Sequence, residues 1–110
     1  MDIIENIDAI GRYTAGLDQQ SFTQDAKTRD ATITCLMRIS EASTKLERLA
    51  EDLAPDQIWQ SIRSIGNRLR HEYHDVDPVV LWSIRDTQLS PLRRACEICI
   101  EKLLTAPPES

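Results

Sequence analysis

The sequence is poor in glycine and in aromatic residues, and it lacks a long hydrophobic run. Three glycines and five aromatic side chains occur in 110 residues, and with few β-branched runs this composition favours helices. No apolar run approaches the ~18–20 residues that a bilayer-spanning helix needs. The N-terminus, MDIIENIDAI, carries acids where a signal peptide carries positive charge. We therefore expect a cytoplasmic protein with no membrane association.

Basic side chains are in the minority. Thirteen Lys and Arg residues face 18 Asp and Glu residues, which gives a formal net charge of −5. This balance argues against a general, whole-surface nucleic-acid binder, because affinity for phosphate depends on an excess of Lys and Arg. A local basic patch remains compatible with it. The length and the 41% hydrophobic content predict one globular domain over residues 1–104, followed by a flexible tail over 105–110.

The three cysteines do not form a pattern typical of metal binding. Cys96 and Cys99 have Cys-x-x-Cys spacing, but no second ligand pair is present to complete a zinc site, and Cys35 stands alone. All three lie in apolar helical contexts. We expect buried, reduced thiols, no metal site and no cofactor.

Apolar residues recur at helical spacing along the chain. The first predicted helix, ending near Gly16, has a face formed by Ile3, Ile7, Ile10, Thr14 and Leu17. A long second helix is predicted from Phe22 to about Ala54, where Pro55 ends it. The third has an apolar stripe formed by Ile58, Ile62, Ile65 and Leu69.

Two proline signals organise the C-terminal third. Asp77-Pro78 reads as an N-cap followed by proline at the first helical position, and Ser90-Pro91 predicts a kink or a split. The inner face of the last stretch is predicted to contain Leu92, Cys96, Cys99 and Leu103. The fold class is therefore all-α, an up-and-down bundle of four to five helices. Because the second helix is longer than its neighbours, it would expose apolar surface that dimerisation would cover.

Polar chemistry is concentrated between residues 63 and 74. At 100° per residue, five side chains fall within about a 100° arc nearly opposite the apolar stripe: Arg63, Asn67, Arg70, His71 and His74. No acid occurs from 63 to 70. Arg, Asn and His bind phosphate and move protons near neutral pH, which favours metal-free acid–base chemistry on a phosphodiester. The alternative is an ordinary solvated helix face.

The order and spacing of several short motifs resemble the HEPN superfamily, specifically the small HepT-like proteins encoded beside minimal nucleotidyltransferases. The resemblance extends from Ile3 to about Leu104, and Gly commonly stands in the family where this chain has Ser40. The motifs are Phe22-x-x-Asp25, Arg29-Asp30-Ala31, Ile39-Ser40-Glu41-Ala42, Trp59, the run from Asn67 to Tyr73, Val76-Asp77 and Leu81-Trp82. The resemblance implies a HEPN-like helical bundle that forms a homodimer.

The family signature is an Arg, four to six residues, a His, and a Tyr two positions later. His71 and Tyr73 match its second half, whereas Gly66 stands five positions before His71. We expect Arg63 or Arg70 to supply the cation that Gly66 cannot.

The resemblance also implies a function. Such a protein would be a metal-independent endoribonuclease, the toxin of a toxin–antitoxin pair whose antitoxin is a minimal nucleotidyltransferase. His71 would be the general acid/base, aided by Asn67 and a nearby Arg, with Arg68 and His74 contacting RNA and Tyr73 accepting AMP from the partner. The alternative is a non-catalytic binding or regulatory subunit of a nucleotidyltransferase.

Overall fold

The computed structural model describes residues 2–56, 58–72 and 75–105, and these residues form an all-α bundle. The helices are α1 (Asp2–Thr14), α2 (Gln19–Thr23), α3 (Ala26–Leu53), α4 (Ile58–Glu72), α5 (Pro78–Thr87) and α6 (Leu89–Thr105). The predicted fold class is confirmed. No strand occurs in these ranges, and none of their helices combines the length and apolar character that a membrane crossing requires.

The start of the long helix differs from the prediction. The chain forms the separate short helix α2 around Phe22, and α3 begins only at Ala26. Two aspartates cause this division. Asp18 and Ser21 form a reciprocal capping box before α2, and the Asp25 side chain accepts a 3.1 Å hydrogen bond from the Thr28 N–H at the start of α3. Hydrogen bonds from Thr28 also lower the pKa of Asp25, so the cap stays charged.

The C-terminal proline signals mark helix starts, with one shift in position. Asp77 caps α5 as predicted, accepting a 2.9 Å hydrogen bond from the Val79 N–H. The last helical stretch is split in two, but the break lies at Gln88. Helix α6 therefore begins at Leu89, two residues before Pro91. Pro91 is tolerated because the first N–H groups of a helix have no partner within it.

The core is centred on α3, which packs against both α1 and α4. The predicted faces of α1 and α4 are largely buried, with Ile65 only partly so and the largest enclosed side chains being Trp59 and Phe22. One inner-face prediction is wrong: Leu103 is 52% exposed. It lies in the last turn of α6, where residues 101–105 are all exposed and the helix has left the core. The predicted tail lies outside the described residues except for Thr105, which ends α6.

The three cysteines are buried and free, as expected. Burial raises the pKa of each thiol, and it raises the pKa of Cys96 to about 12. Cys99 Sγ lies 3.9 Å from the carbonyl oxygen of Ala50, so this part of α6 faces α3. In the described ranges, no group of three or more His, Cys, Asp or Glu side chains could hold a metal ion.

Trp59 ties the start of α4 to the end of α3, and its loss should be costly. Its ring is completely buried and its Nε1–H donates a 2.8 Å hydrogen bond to the Ala54 carbonyl. Trp59→Phe leaves that buried carbonyl unsatisfied, so we expect the free energy of unfolding to fall by about 1–3 kcal/mol. Urea titration measures this. Trp82→Phe is the matched control, since Trp82 is only partly buried; an equal loss in both variants would contradict the role of the hydrogen bond.

Candidate active site

Helix α4 separates a buried stripe from a polar face. Ile58, Trp59, Ile62, Gly66 and Leu69 are buried, whereas Asn67, Arg70 and His71 are exposed. The polar arc predicted from the helical wheel is therefore present over the described part of α4. His71 lies in its last turn, one residue before the helix ends at Glu72. Tyr73 and His74, the predicted AMP acceptor and RNA contact, lie outside the described residues.

Arg70 and Asn67 form a local pair on this face. Arg70 Nη2 donates a 2.6 Å hydrogen bond to Asn67 Oδ1. The acceptor is a neutral amide, so the hydrogen bond orients the guanidinium without cancelling its charge. Among the described side chains Arg70 forms no ion pair. A fixed cation next to an exposed histidine is an arrangement that can bind a phosphate and move a proton.

Arg63, the other predicted source of the missing cation, is held by a carboxylate. Its Nη2 forms an ion pair and hydrogen bond with Glu51 Oε1 of α3. The Arg63 side chain is 29% exposed, and Asp56 lines the same open groove as the pair. The sequence shows no acid between residues 63 and 70, but α3 brings one to Arg63 across the helix interface. This position is consequently less positive than the α4 sequence alone suggests.

Arg68 lies on the other flank of α4. Its Nε donates to Glu72 Oε2 at 3.1 Å, an ordinary pair one helical turn apart on the surface. The guanidinium borders an open groove of about 530 Å³ between α4 and α5, lined by Gln60, Ser61, Ser64, Ile65, Val80, Ile84 and Gln88. Arg68 thus lies on a different flank of α4 from Asn67, Arg70 and His71. Among the described residues of the predicted arc, those three are exposed together, whereas Arg63 is partly buried and paired with Glu51.

Gly66 lies at a close approach between α3 and α4. An ideal Cβ on Gly66 would lie 1.8 Å from Ser40 Oγ and 2.3 Å from Ser40 Cβ, far inside contact distance. Neither Gly11 nor Gly16 shows any such neighbour within 4 Å. Ser40 has no predicted role beyond its place in a family motif. A signal was present, because glycine in a helix interior costs about 1 kcal/mol relative to alanine and so needs a packing reason.

Known proteins resemble this chain over most of its length. Residues 3–99 match the family described as Ribonuclease HepT-like. A Thermococcus cleftensis protein named as a probable ribonuclease HepT is 35% identical over 81 residues, 74% of each chain. A Methanocaldococcus jannaschii protein named as a candidate RNase is 27% identical over 97 residues, 88% of this chain and 89% of the relative. No solved structure is significantly similar. With the family match covering most of the bundle, the chain belongs to the HepT-like ribonuclease family.

Proposed function

We propose that this protein is a metal-independent endoribonuclease and the toxin of a toxin–antitoxin pair, acting on cytoplasmic RNA. Its family is one of ribonucleases. The observation that carries the proposal is the exposed face of α4, where Arg70 is hydrogen-bonded to Asn67 and is followed directly by His71. These three side chains supply a phosphate-binding cation, an amide that orients it and an imidazole that can accept or donate a proton.

The chemistry that fits this set is intramolecular attack on the phosphodiester. The ribose 2′-oxygen loses its proton to a base and forms a bond to the adjacent phosphorus, and the bond from phosphorus to the 5′-oxygen breaks. The leaving 5′-oxygen takes a proton, which gives a 2′,3′-cyclic phosphate and a 5′-hydroxyl. His71 serves as general acid/base, and Arg70 stabilises the charge that builds on the phosphate oxygens. No metal is required at any step.

The proposed assembly is a symmetric homodimer in which the α4 faces line one cleft. Two observations support it. Helix α3 spans 28 residues and is the longest described helix of the bundle. Near its end, the apolar side chain of Leu49 is 48% exposed. Pairing two copies would cover this surface and bring two His71 and two Arg70 side chains together. The cleft would be locally positive although each chain carries a net charge of −5, because attraction to phosphate depends on nearby charge.

The proposed partner is a minimal nucleotidyltransferase that acts as the antitoxin. Tyr73 is the proposed AMP acceptor because the family resemblance implies that role for the tyrosine two positions after the signature histidine, here His71. AMP attached there would bring a bulky phosphodiester, with its negative charge, close to the position where the RNA phosphate binds. The modification would therefore block substrate binding by repulsion and by occupying space.

A second candidate function is a non-catalytic binding or regulatory subunit of a nucleotidyltransferase. Gly66 favours it, since the family signature has an arginine at about this distance before the histidine. RNA cleavage by the purified chain separates the two functions, because a regulatory subunit would cut nothing when it is free of its partner.

The mechanism predicts cleavage that survives chelation and depends on the 2′-hydroxyl. We expect the wild type to cut RNA in EDTA and to leave a 2′-deoxy-substituted substrate intact. His71→Ala should lower the rate about 10²–10⁴-fold, the usual contribution of a general acid/base. Loss of cleavage on chelation, or a fully active His71→Ala variant, would refute the mechanism.

The three arginines of α4 should differ in their effect on the rate. Arg70→Gln should lower cleavage roughly 10²–10³-fold, because it removes the cation beside His71. Arg68→Gln is the matched control on the other flank and should change the rate less than tenfold. Arg63→Gln breaks the pair with Glu51 and should affect thermal stability more than rate. Equal losses for Arg68→Gln and Arg70→Gln would contradict the assignment.

The dimer predicts a solution mass near twice the 12.5 kDa of one chain. Light scattering at micromolar concentration measures it. Leu49→Lys should shift the equilibrium toward monomer by placing a charge in the proposed interface, whereas Leu104→Lys, on the exposed end of α6, should not. A monomeric wild type would overturn the assembly.

A further inference from the structure

The contact between Gly66 and Ser40 excludes every side chain from position 66. Ser40 is 1% exposed and Gly66 is also buried, so neither can move into solvent without separating the helices. Of the two Ser40 atoms in the way, Oγ can rotate but Cβ is fixed to the backbone. A Cβ on residue 66 would lie 2.3 Å from it. The exclusion therefore depends on Ser40 having any side chain at all.

The hydroxyl of Ser40 does not explain the serine by a hydrogen bond. Ser40 Oγ is buried and has no hydrogen-bond partner in the described part of the chain. The Ser40 carbonyl accepts from the hydroxyls of Ser43 and Thr44, so the polar contacts of this turn use its backbone. The Ser40 side chain occupies the space that a Cβ on residue 66 would need.

The Arg70 guanidinium lies beside the position that a Gly66 Cβ would take. Arg70 follows Gly66 by about one helical turn, and helical side chains point back toward the N-terminus. Its Nη1 lies 3.6 Å from the position a Gly66 Cβ would take, while Nη2 bonds to Asn67. After the two Ser40 atoms, Nη1 is the next-nearest heavy atom to that position outside the local helix backbone. A Cβ there would be in ordinary van der Waals contact with this nitrogen, so Ser40, and not Arg70, excludes a side chain from residue 66.

We propose that Ser40 is a positioning residue: by keeping position 66 free of a side chain, it assigns the role of phosphate-binding cation to Arg70. This inference rests on the proposed ribonuclease function. It explains how a chain with glycine near the expected arginine position still presents one oriented guanidinium on the face that carries His71.

The contact itself is tested by thermal unfolding. Gly66→Ala should lower Tm by roughly 5–15 °C, since overpacking at a fixed contact typically costs 1–3 kcal/mol. Adding Ser40→Gly should recover most of that loss, whereas adding Ser40→Ala should not, because Cβ remains. Ser43→Gly is the matched control: Ser43 is equally buried on α3 but contributes none of the three atoms nearest to a Gly66 Cβ. Recovery with Ser40→Ala or Ser43→Gly would overturn the contact.

The positioning role is tested by moving the arginine. In the Ser40→Gly/Gly66→Arg background, Arg70→Gln should cost less than about tenfold in cleavage, against roughly 10²–10³-fold in the wild type. The same variants are also compared by the Kd with which each binds a 2′-deoxy-substituted RNA analogue in EDTA. There Arg70→Gln should weaken binding in the wild type and leave it nearly unchanged in the double variant.

The binding measurement separates failure of the inference from failure of the proposed function. If the wild type cuts no RNA but the loss of affinity on Arg70→Gln disappears in the double variant, the endonuclease function fails and Ser40 still selects the cation. If Arg70→Gln costs as much in the double variant as in the wild type, by either measurement, the positioning role of Ser40 is wrong.

Discussion

The packing of α4 on α3 is the constraint on which the candidate site depends. Where Ser40 meets Gly66 the two helices approach so closely that residue 66 can carry no side chain. Trp59 fixes the other end of the same interface through its hydrogen bond to Ala54. With α4 held at both places, its outward face is also fixed. Asn67, Arg70 and His71 therefore stand on a rigid helix of the core, which suits residues that must act together.

Pairing of charges distinguishes the three arginines of α4. Glu51 compensates Arg63 from the neighbouring helix, and Glu72 compensates Arg68 from the next turn. Arg70 has instead a neutral amide as its hydrogen-bond partner. Within the described part of the chain, Arg70 is therefore not paired with an acid, and an acidic protein can in this way present a local positive charge to phosphate.

Local sequence signals predicted most of the fold and only part of the site. Apolar spacing identified α1 and α4, and Asp77-Pro78 gave the start of α5, because periodicity and capping act within a few residues. The division between α2 and α3 was missed, although Asp18 and Asp25 are strong caps. Glu51 and Ser40 could not be assigned from α4 alone, since their contacts join residues distant in sequence. The exact break at Gln88 likewise depends on how α5 and α6 pack on the core.

The buried thiols have a consequence for how motion in this protein can be followed. The Cys96 side chain is buried and its pKa is raised to about 12, so the folded protein carries little of the reactive thiolate at neutral pH. Alkylating reagents should therefore modify this cysteine only when α6 detaches from α3 and α1. Where reclosing is faster than alkylation, the rate of labelling then reports the population of that open state. The chain thus has its own probe of local unfolding on the side of the bundle that α6 covers.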